Sequence, residues 1–342
     1  MWSRDLSPGG QGPASAGTEV ASPQIEPVAA TPVPFDVWLE AVRAEALARG
    51  IRPDTVQQAF EGLQPQMIVV ERDRTQAEFV LTLDTYLARR LSKTLVRDTR
   101  RALARHQAIF RKVAAKYGVP TDVLAAVWSI ESNLGRFSGV RPTIQALATL
   151  AWDGRRAAFF RRELLDALTI LDRGEVEPAR LKGSWAGALG QPQFMPSTYL
   201  RYAQDFDGDG HRDIWRSLPD VFASIANFLK ENGWNGAETW GREVRIPDDR
   251  SAISLAAPPR IEGCRAKREM SEPLPVARWS ELGVRTATGA RLPAVDRIAS
   301  LVTAGSRSFL VYANYEALLA YNCAHAYALS VGLLGDSLGA GR

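Results

Sequence analysis

"AAVWSIESNLGRF", residues 125–137, is the stretch that decides how this chain reads. Glu131 follows Leu124, Val127 and Trp128 by seven, four and three positions. At about 3.6 residues per turn these positions share one face of a helix. The spacing therefore aims a carboxyl group into an apolar side. Pro120 and an N-cap at Thr121 or Asp122 start the helix, and Gly135 follows its end. Burial disfavours the charged form of a carboxyl group and raises its pKa. A group so placed keeps its proton near neutrality and can donate it to a leaving oxygen. The alternative for Glu131 alone is a structural carboxyl satisfied by neighbouring backbone groups.

Outward from this helix the pattern stays helical. "FDVWLEAVRAEALARG" places Phe35, Trp38, Leu39, Val42, Ala46 and Leu47 on one stripe and closes at Gly50. Residues 92–118 read as one long helix ending at Gly118, and further helices read at 142–152, 155–173, 196–204, 219–232 and 312–335. Between 241 and 310 prolines, turn residues and β-compatible runs such as "REVRIP" and "SFLVYA" take over. There is no internal repeat. The chain is expected to be mainly helical with a small irregular β-containing insert.

Residues 1–34 are rich in Pro, Gly, Ala and Ser, too poor in large apolar groups to offset their ordering entropy, and read as a disordered leader or linker. They hold no continuous apolar stretch of a signal peptide and no cysteine for a lipid anchor. No run approaches the ~20 apolar residues that span a bilayer, so no integral membrane segment is expected. The 342 residues are 46% hydrophobic and 23% charged, an ordinary globular composition with a net charge of +4. No dense Lys/Arg run interleaved with aromatics points to nucleic acid.

Three further segments carry chemistry. In "GSWAGALGQPQFMPSTYLRYAQ", 183–204, glycines around Trp185 permit close backbone approach, and Ser184, Gln191, Gln193 and Ser197 supply uncharged hydrogen-bonding groups. Neutral donors beside aromatic faces suit a sugar better than a phosphate; a structural turn feeding the next helix is the alternative. In "DFDGDGHRD", 205–213, Asp205, Asp207 and Asp209 stand at positions one, three and five of an EF-hand-type loop, His211 at seven and Asp213 at nine. Position twelve is Arg216 and not the usual glutamate, and Asp220 either substitutes or caps the next helix. A structural calcium ion or an acidic turn without metal both fit. In "YNCAHAYALSVGLL", 321–334, Tyr321, Asn322 and Tyr327 bring polar tips onto an apolar helix. Cys264 and Cys323, too far apart in sequence for a clustered zinc site, are either two free thiols or one disulfide of an exported protein.

In order, "IESNLG", "GSWAGALGQPQFMPS", "DFDGDGHRDIW" and "YNCAHAYALSVGLL" resemble the successive blocks of the lytic murein transglycosylase B family of bacterial cell-wall enzymes, over about Phe35 to Leu334. The resemblance implies an α+β, mainly α fold: a lysozyme-like helical core with a helical N-terminal part and a β-containing insert. Residues 35–342 would form the catalytic domain. It implies Glu131 as the single catalytic acid/base, Ser184 and Gln193 as glycan contacts, and Tyr321, Asn322 and Tyr327 as cleft residues, with Tyr86 of "TYLARRL" lining the same cleft. Peptidoglycan glycan strands would be the partner, no cofactor would serve catalysis, and a periplasmic monomer is expected although no export signal is visible. The departure at Gln191-Pro192 is expected to reshape that edge of the cleft.

Ordinary glycosidases pair an acid with a second carboxylate, and no second acid in a comparable apolar setting is legible nearby. One carboxyl suffices if the 6-hydroxyl of the muramic acid itself closes onto C1, which the resemblance implies. Two other readings use the same parts: a muramidase that consumes water, and a non-catalytic calcium-dependent glycan-binding wall protein. The latter leaves a desolvated acid without a purpose.

Overall fold

The helix carrying Glu131 spans Thr121–Ser132 in the computed structural model, which describes residues 33–75 and 82–339. Residues 1–32 of the expected leader lie outside the described residues. The helix runs among four others, Lys93–Arg105, Gln107–Tyr117, Leu218–Glu231 and His325–Gly339. Leu124 through Ile130 and Ser132 are consequently all buried. The sequence spacing suggested one apolar face; the surroundings bury every position from Leu124 to Ser132 except Glu131. Its two serines are tolerated because Ser129 Oγ and Ser132 Oγ donate to the carbonyls of Ala125 and Trp128, one turn back, at 2.7 and 3.1 Å. The helix stops at Asn133 and not at Gly135. Asn133, Leu134 and Gly135 occupy the left-handed region in succession, with φ of 49°, 62° and 80°.

Two long helices expected from periodicity are each broken in two. The 92–118 stretch divides at His106 into Lys93–Arg105 and Gln107–Tyr117. His106 sets its ring edge-on to Trp128, with centroids 6.2 Å apart. The 312–335 stretch divides into Ala313–Tyr321 and His325–Gly339, bent by 119°. Neither break contains Gly or Pro, so neither was visible to a local rule. No single described helix is long and apolar enough to cross a membrane.

Helices Thr143–Trp152 and Ala157–Asp172 pack side by side, and Pro196–Tyr202 lies on the second. The N-terminal helices Phe35–Ala48, Pro53–Phe60 and Met67–Thr75 cover this pair, while Leu83–Arg90 packs on His325–Gly339. The insert is a five-stranded antiparallel sheet ordered Leu274–Pro275, Ile298–Ala304, Arg307–Val311, Gly241–Arg245 and Arg285–Thr286. Three short helices, Ser251–Ala256, Arg265–Arg268 and Val276–Glu281, interrupt it. It has a small core of its own around Val244, Ile253, Trp279 and Leu310. Cys264 and Cys323 form a disulfide with Cα atoms 6.4 Å apart, which removes the free-thiol alternative and ties the insert to the break at 322–324. From Phe35 onward the chain is one compact unit, mainly α with a small β part.

Candidate active site

Between Leu124 and Ser132, Glu131 is the one residue that is not buried. It keeps partial exposure while protein crowds its carboxyl group. Desolvation raises that group's pKa from 4.5 to about 7, against smaller downward pulls from the Tyr327 hydroxyl and the Arg90 guanidinium. The buried Tyr327 hydroxyl has no partner in good hydrogen-bond geometry, so its attraction to Glu131 is looser than a formed bond. Burial, reinforced by Glu131, pushes the hydroxyls of both Tyr321 and Tyr327 well above the usual tyrosine range. Both remain protonated donors at any working pH. Arg90 donates to the carbonyl of Ile130, next to Glu131 in the chain. It stands one turn after Tyr86 on helix Leu83–Arg90, so the two share a face. Tyr86 itself is half-buried against the core.

The second wall comes from residues 182–194. A two-residue strand pair, Arg141–Pro142 with Lys182–Gly183, joins this segment to the loop leaving the Glu131 helix. Gly139 allows that approach: a Cβ there would stand 2.2 Å from the carbonyl carbon of Gly183. Ser184 Oγ accepts from the backbone N–H of Ala186 and Ala188 at 3.3 and 3.1 Å, which shapes a tight turn and leaves its own proton to donate. Gln193 has φ of 55°, uncommon for a residue with a side chain. Its Nε2 donates to Gly190 O at 2.7 Å, so the amide oxygen and the second amide N–H remain for a ligand.

Two residues read as possible sugar contacts belong to the scaffold instead. Gln191 is buried, accepting from Trp128 Nε1 at 2.6 Å and donating to Trp215 O at 2.9 Å. It locks the Glu131 helix to the loop. Ser197 gives its N–H and hydroxyl to Glu163, at 2.9 and 2.7 Å, at the start of helix Pro196–Tyr202. The bend at 322–324 closes the third side. Tyr321 donates to Pro192 O at 2.8 Å, and its ring stacks on Tyr327 with centroids 5.9 Å apart. Gln191 and Pro192 are both tied down at this edge: one is bolted to the Glu131 helix and the other to Tyr321. Asn322 is exposed beside them, with no side-chain hydrogen bond among the described residues.

The acidic loop lies apart in sequence but is anchored to the same wall, since Trp215 Nε1 donates to Lys182 O at 2.8 Å. The carboxylates of Asp205, Asp207 and Asp209 offer oxygens within 4.8 Å of one another. Three hard oxygen donors at that spacing suit a calcium ion. His211 is held by its N–H on Asp209 Oδ1 at 2.8 Å. Asp213 is not part of the cluster; its carboxylate accepts from the N–H groups of Trp215 and Arg216 and pairs with Arg180 at 3.1 Å. Asp220 neither joins the three nor caps its helix, a task taken by Ser217. Fully buried, it accepts from Phe206 N at 2.7 Å and Asp213 N at 2.9 Å, clamping the two ends of the loop.

Arg90 escaped sequence reasoning, although its position one turn beyond Tyr86 was a signal. Glu163 escaped too: it is a second acid in an apolar setting, raised by burial like Glu131.

The family model of the transglycosylase SLT domain matches residues 34–336. The chain is 32% identical over 227 residues to membrane-bound lytic murein transglycosylase B of Escherichia coli, spanning 66% of this chain and 59% of that relative. SltB3 from Pseudomonas aeruginosa, solved in complex with NAG-anhNAM-pentapeptide and with NAG-NAM-pentapeptide, is similar at 43% identity and a TM-score of 0.81, covering 90% of this chain and 80% of that one. Soluble lytic transglycosylase SltB1 from the same organism is similar at 26% identity and a TM-score of 0.77, over 89% and 99% of the two chains. With nearly all of its described residues inside the match over residues 34–336, this chain belongs to the transglycosylase SLT domain family.

Proposed function

We propose that the protein is a peptidoglycan lytic transglycosylase that cleaves the β-1,4 bond between N-acetylmuramic acid and N-acetylglucosamine without water. The observation that carries the reading is Glu131: a carboxyl with a pKa of about 7 at the only open position in an otherwise buried stretch of helix. The described groups that interact with it are Tyr327, Tyr321 and Arg90, none of them a carboxylate. A lone acid can serve both halves of the reaction. Protonated Glu131 gives its proton to the glycosidic oxygen as the C1–O bond breaks. The muramic acid 6-hydroxyl oxygen then bonds to C1 and its proton returns to the carboxylate. Acid and base are regenerated, no water enters, and the product ends in 1,6-anhydro-N-acetylmuramic acid. A muramidase or a wall-binding protein without activity has no comparable support, since the first would call for a second carboxylate and the second for no acid at all.

In this reading Ser184, Gln193 and Asn322 hydrogen-bond the glycan, Tyr327, whose hydroxyl has no other partner, donates toward Glu131 or the sugar, Tyr321 stacks behind it with its proton on Pro192 O, and Tyr86 lines the far wall. Asp205, Asp207 and Asp209, with the His211 carbonyl beside them, hold a structural calcium ion that takes no part in the chemistry. Residues 35–342 act as one catalytic domain, a monomer on glycan strands of the periplasm. The test is digestion of purified peptidoglycan in water enriched in heavy oxygen. Muropeptides ending in anhydro-muramic acid, one water lighter than a lysozyme product and free of label, are expected. Labelled oxygen at C1 would make the enzyme a muramidase.

A further inference from the structure

A cavity of about 590 Å³ lies beside the Glu131 helix at its C-terminal end, and neither Glu131 nor any glycan residue named above lines it. One wall is helix Lys93–Arg105, which presents Arg97, Arg101 and Arg105 along one stripe at four-residue spacing. Arg136 faces them from the loop beyond the Glu131 helix, and Trp128 and Gln191 line the same space. The lining contains one acid, Asp98, and it is paired with Arg97 at 3.3 Å. Arg101, Arg105 and Arg136 make no side-chain hydrogen bond or ion pair among the described residues. Three unmatched guanidinium groups around one concavity repel each other, and an anion would relieve that repulsion.

The lining narrows the kind of anion. Guanidinium forks pair two-by-two with the oxygens of a carboxylate or phosphate. A single carboxylate would leave two of the three charges unmatched, whereas a phosphate monoester brings roughly two negative charges and several acceptor oxygens. The volume exceeds what a bare phosphate fills and falls in the ~300–1,000 Å³ range of ligand pockets, so a group attached to the phosphate can enter as well. Stacking of a nucleobase is not supported, because Trp128 is 3% exposed and its Nε1 is spent on Gln191. We propose that this cavity is a binding site for a phosphate group, free or carried as a phosphate ester on a larger molecule. An occupant would press on Gln191, which already meets the Glu131 helix through Trp128 and lies two residues from Gln193. The site is therefore placed to stiffen the glycan-facing loop without touching the sugar.

Titration calorimetry of the full chain with inorganic pyrophosphate tests this. Binding is expected in the wild type, weakened by roughly tenfold or more in Arg101→Gln/Arg136→Gln. It should be unchanged in Arg265→Gln, an exposed arginine of the insert. Arg101→Lys, which keeps the charge but not the fork, should fall between and guards against a misfolded double variant. Co-sedimentation with vesicles containing phosphatidic acid, whose headgroup is a phosphate monoester, compared with phosphatidylcholine alone, identifies the source. Capture lost in the double variant assigns the pocket to an esterified headgroup, and pyrophosphate binding without capture assigns it to soluble phosphate. No pyrophosphate binding, or equal binding by wild type and double variant, overturns the proposal.

Discussion

Glu131 and Glu163 sit in the same protein under the same pressure, and their neighbourhoods make them different residues. Burial raises the pKa of both. At Glu163 the cost is answered: Ser197 supplies its N–H and its hydroxyl, both within 2.9 Å, and the carboxyl fixes the start of helix Pro196–Tyr202. At Glu131 nothing comparable is supplied. The Tyr327 hydroxyl is near but not in good geometry, and Arg90 acts through its field while its own hydrogen bond goes to Ile130 O. A satisfied buried acid holds structure together, while an unsatisfied one that also reaches the solvent is free to exchange a proton with a ligand.

The largest effect that separates the two is on turnover. Glu131→Gln keeps shape but cannot give up and recover a proton, so peptidoglycan cleavage should fall by at least ~10²-fold. Full activity in that variant would remove Glu131 from the chemistry.

The same variant has a stability consequence of opposite sign. The folded Glu131 holds its proton to about pH 7 against 4.5 for the ordinary carboxyl. Between those values the folded state binds more protons than the unfolded one, so stability is fullest below 4.5 and declines as pH rises toward 7. That interval corresponds to roughly 3 kcal/mol. Glu131→Gln should therefore unfold at higher denaturant than the wild type at pH 8, and the gain should vanish near pH 4. Equal stability at both pH values would mean the carboxyl is not strained.

At the Glu163 end the expected change is smaller and purely structural. Ser197→Ala removes one of two donors and should cost about 1–2 kcal/mol of stability with cleavage per folded molecule unchanged. A drop in turnover without a drop in stability would place Glu163 in the mechanism and erase the contrast.

The smallest effect belongs to Arg90. Its positive field lowers the Glu131 pKa, so Arg90→Gln should carry the alkaline limb of the pH–rate profile to higher pH. An unmoved limb would leave Arg90 with no role but its bond to Ile130.

Much of this site was legible in the sequence because it rests on local rules. The spacing of Leu124, Val127, Trp128 and Glu131 fixed a helix with an inward acid, and glycines at 183, 187 and 190 announced tight backbone. What was not legible came from partners distant in the chain. Gln191 and Ser197 look like free polar groups until Trp128 and Glu163 arrive from elsewhere to claim them. The break at 322–324 contains no helix breaker; the disulfide at Cys323 and the bond from Tyr321 to Pro192 hold it from outside. The two cysteines could be counted, but their pairing waited on the fold that brings them together. The Asp loop was read ligand by ligand, and Asp213 and Asp220 proved to be holding its backbone.

The account turns on Glu131 carrying a proton when the substrate arrives. Infrared difference spectroscopy between the wild type and Glu131→Gln, titrated from acid to alkaline pH, isolates the carboxyl band of this one residue. A protonated-carboxyl band that persists and is lost with a midpoint of about 7 is the predicted result. A midpoint near the ordinary 4.5 would leave Glu131 ionised at neutral pH, unable to protonate the glycosidic oxygen, and would contradict the mechanism.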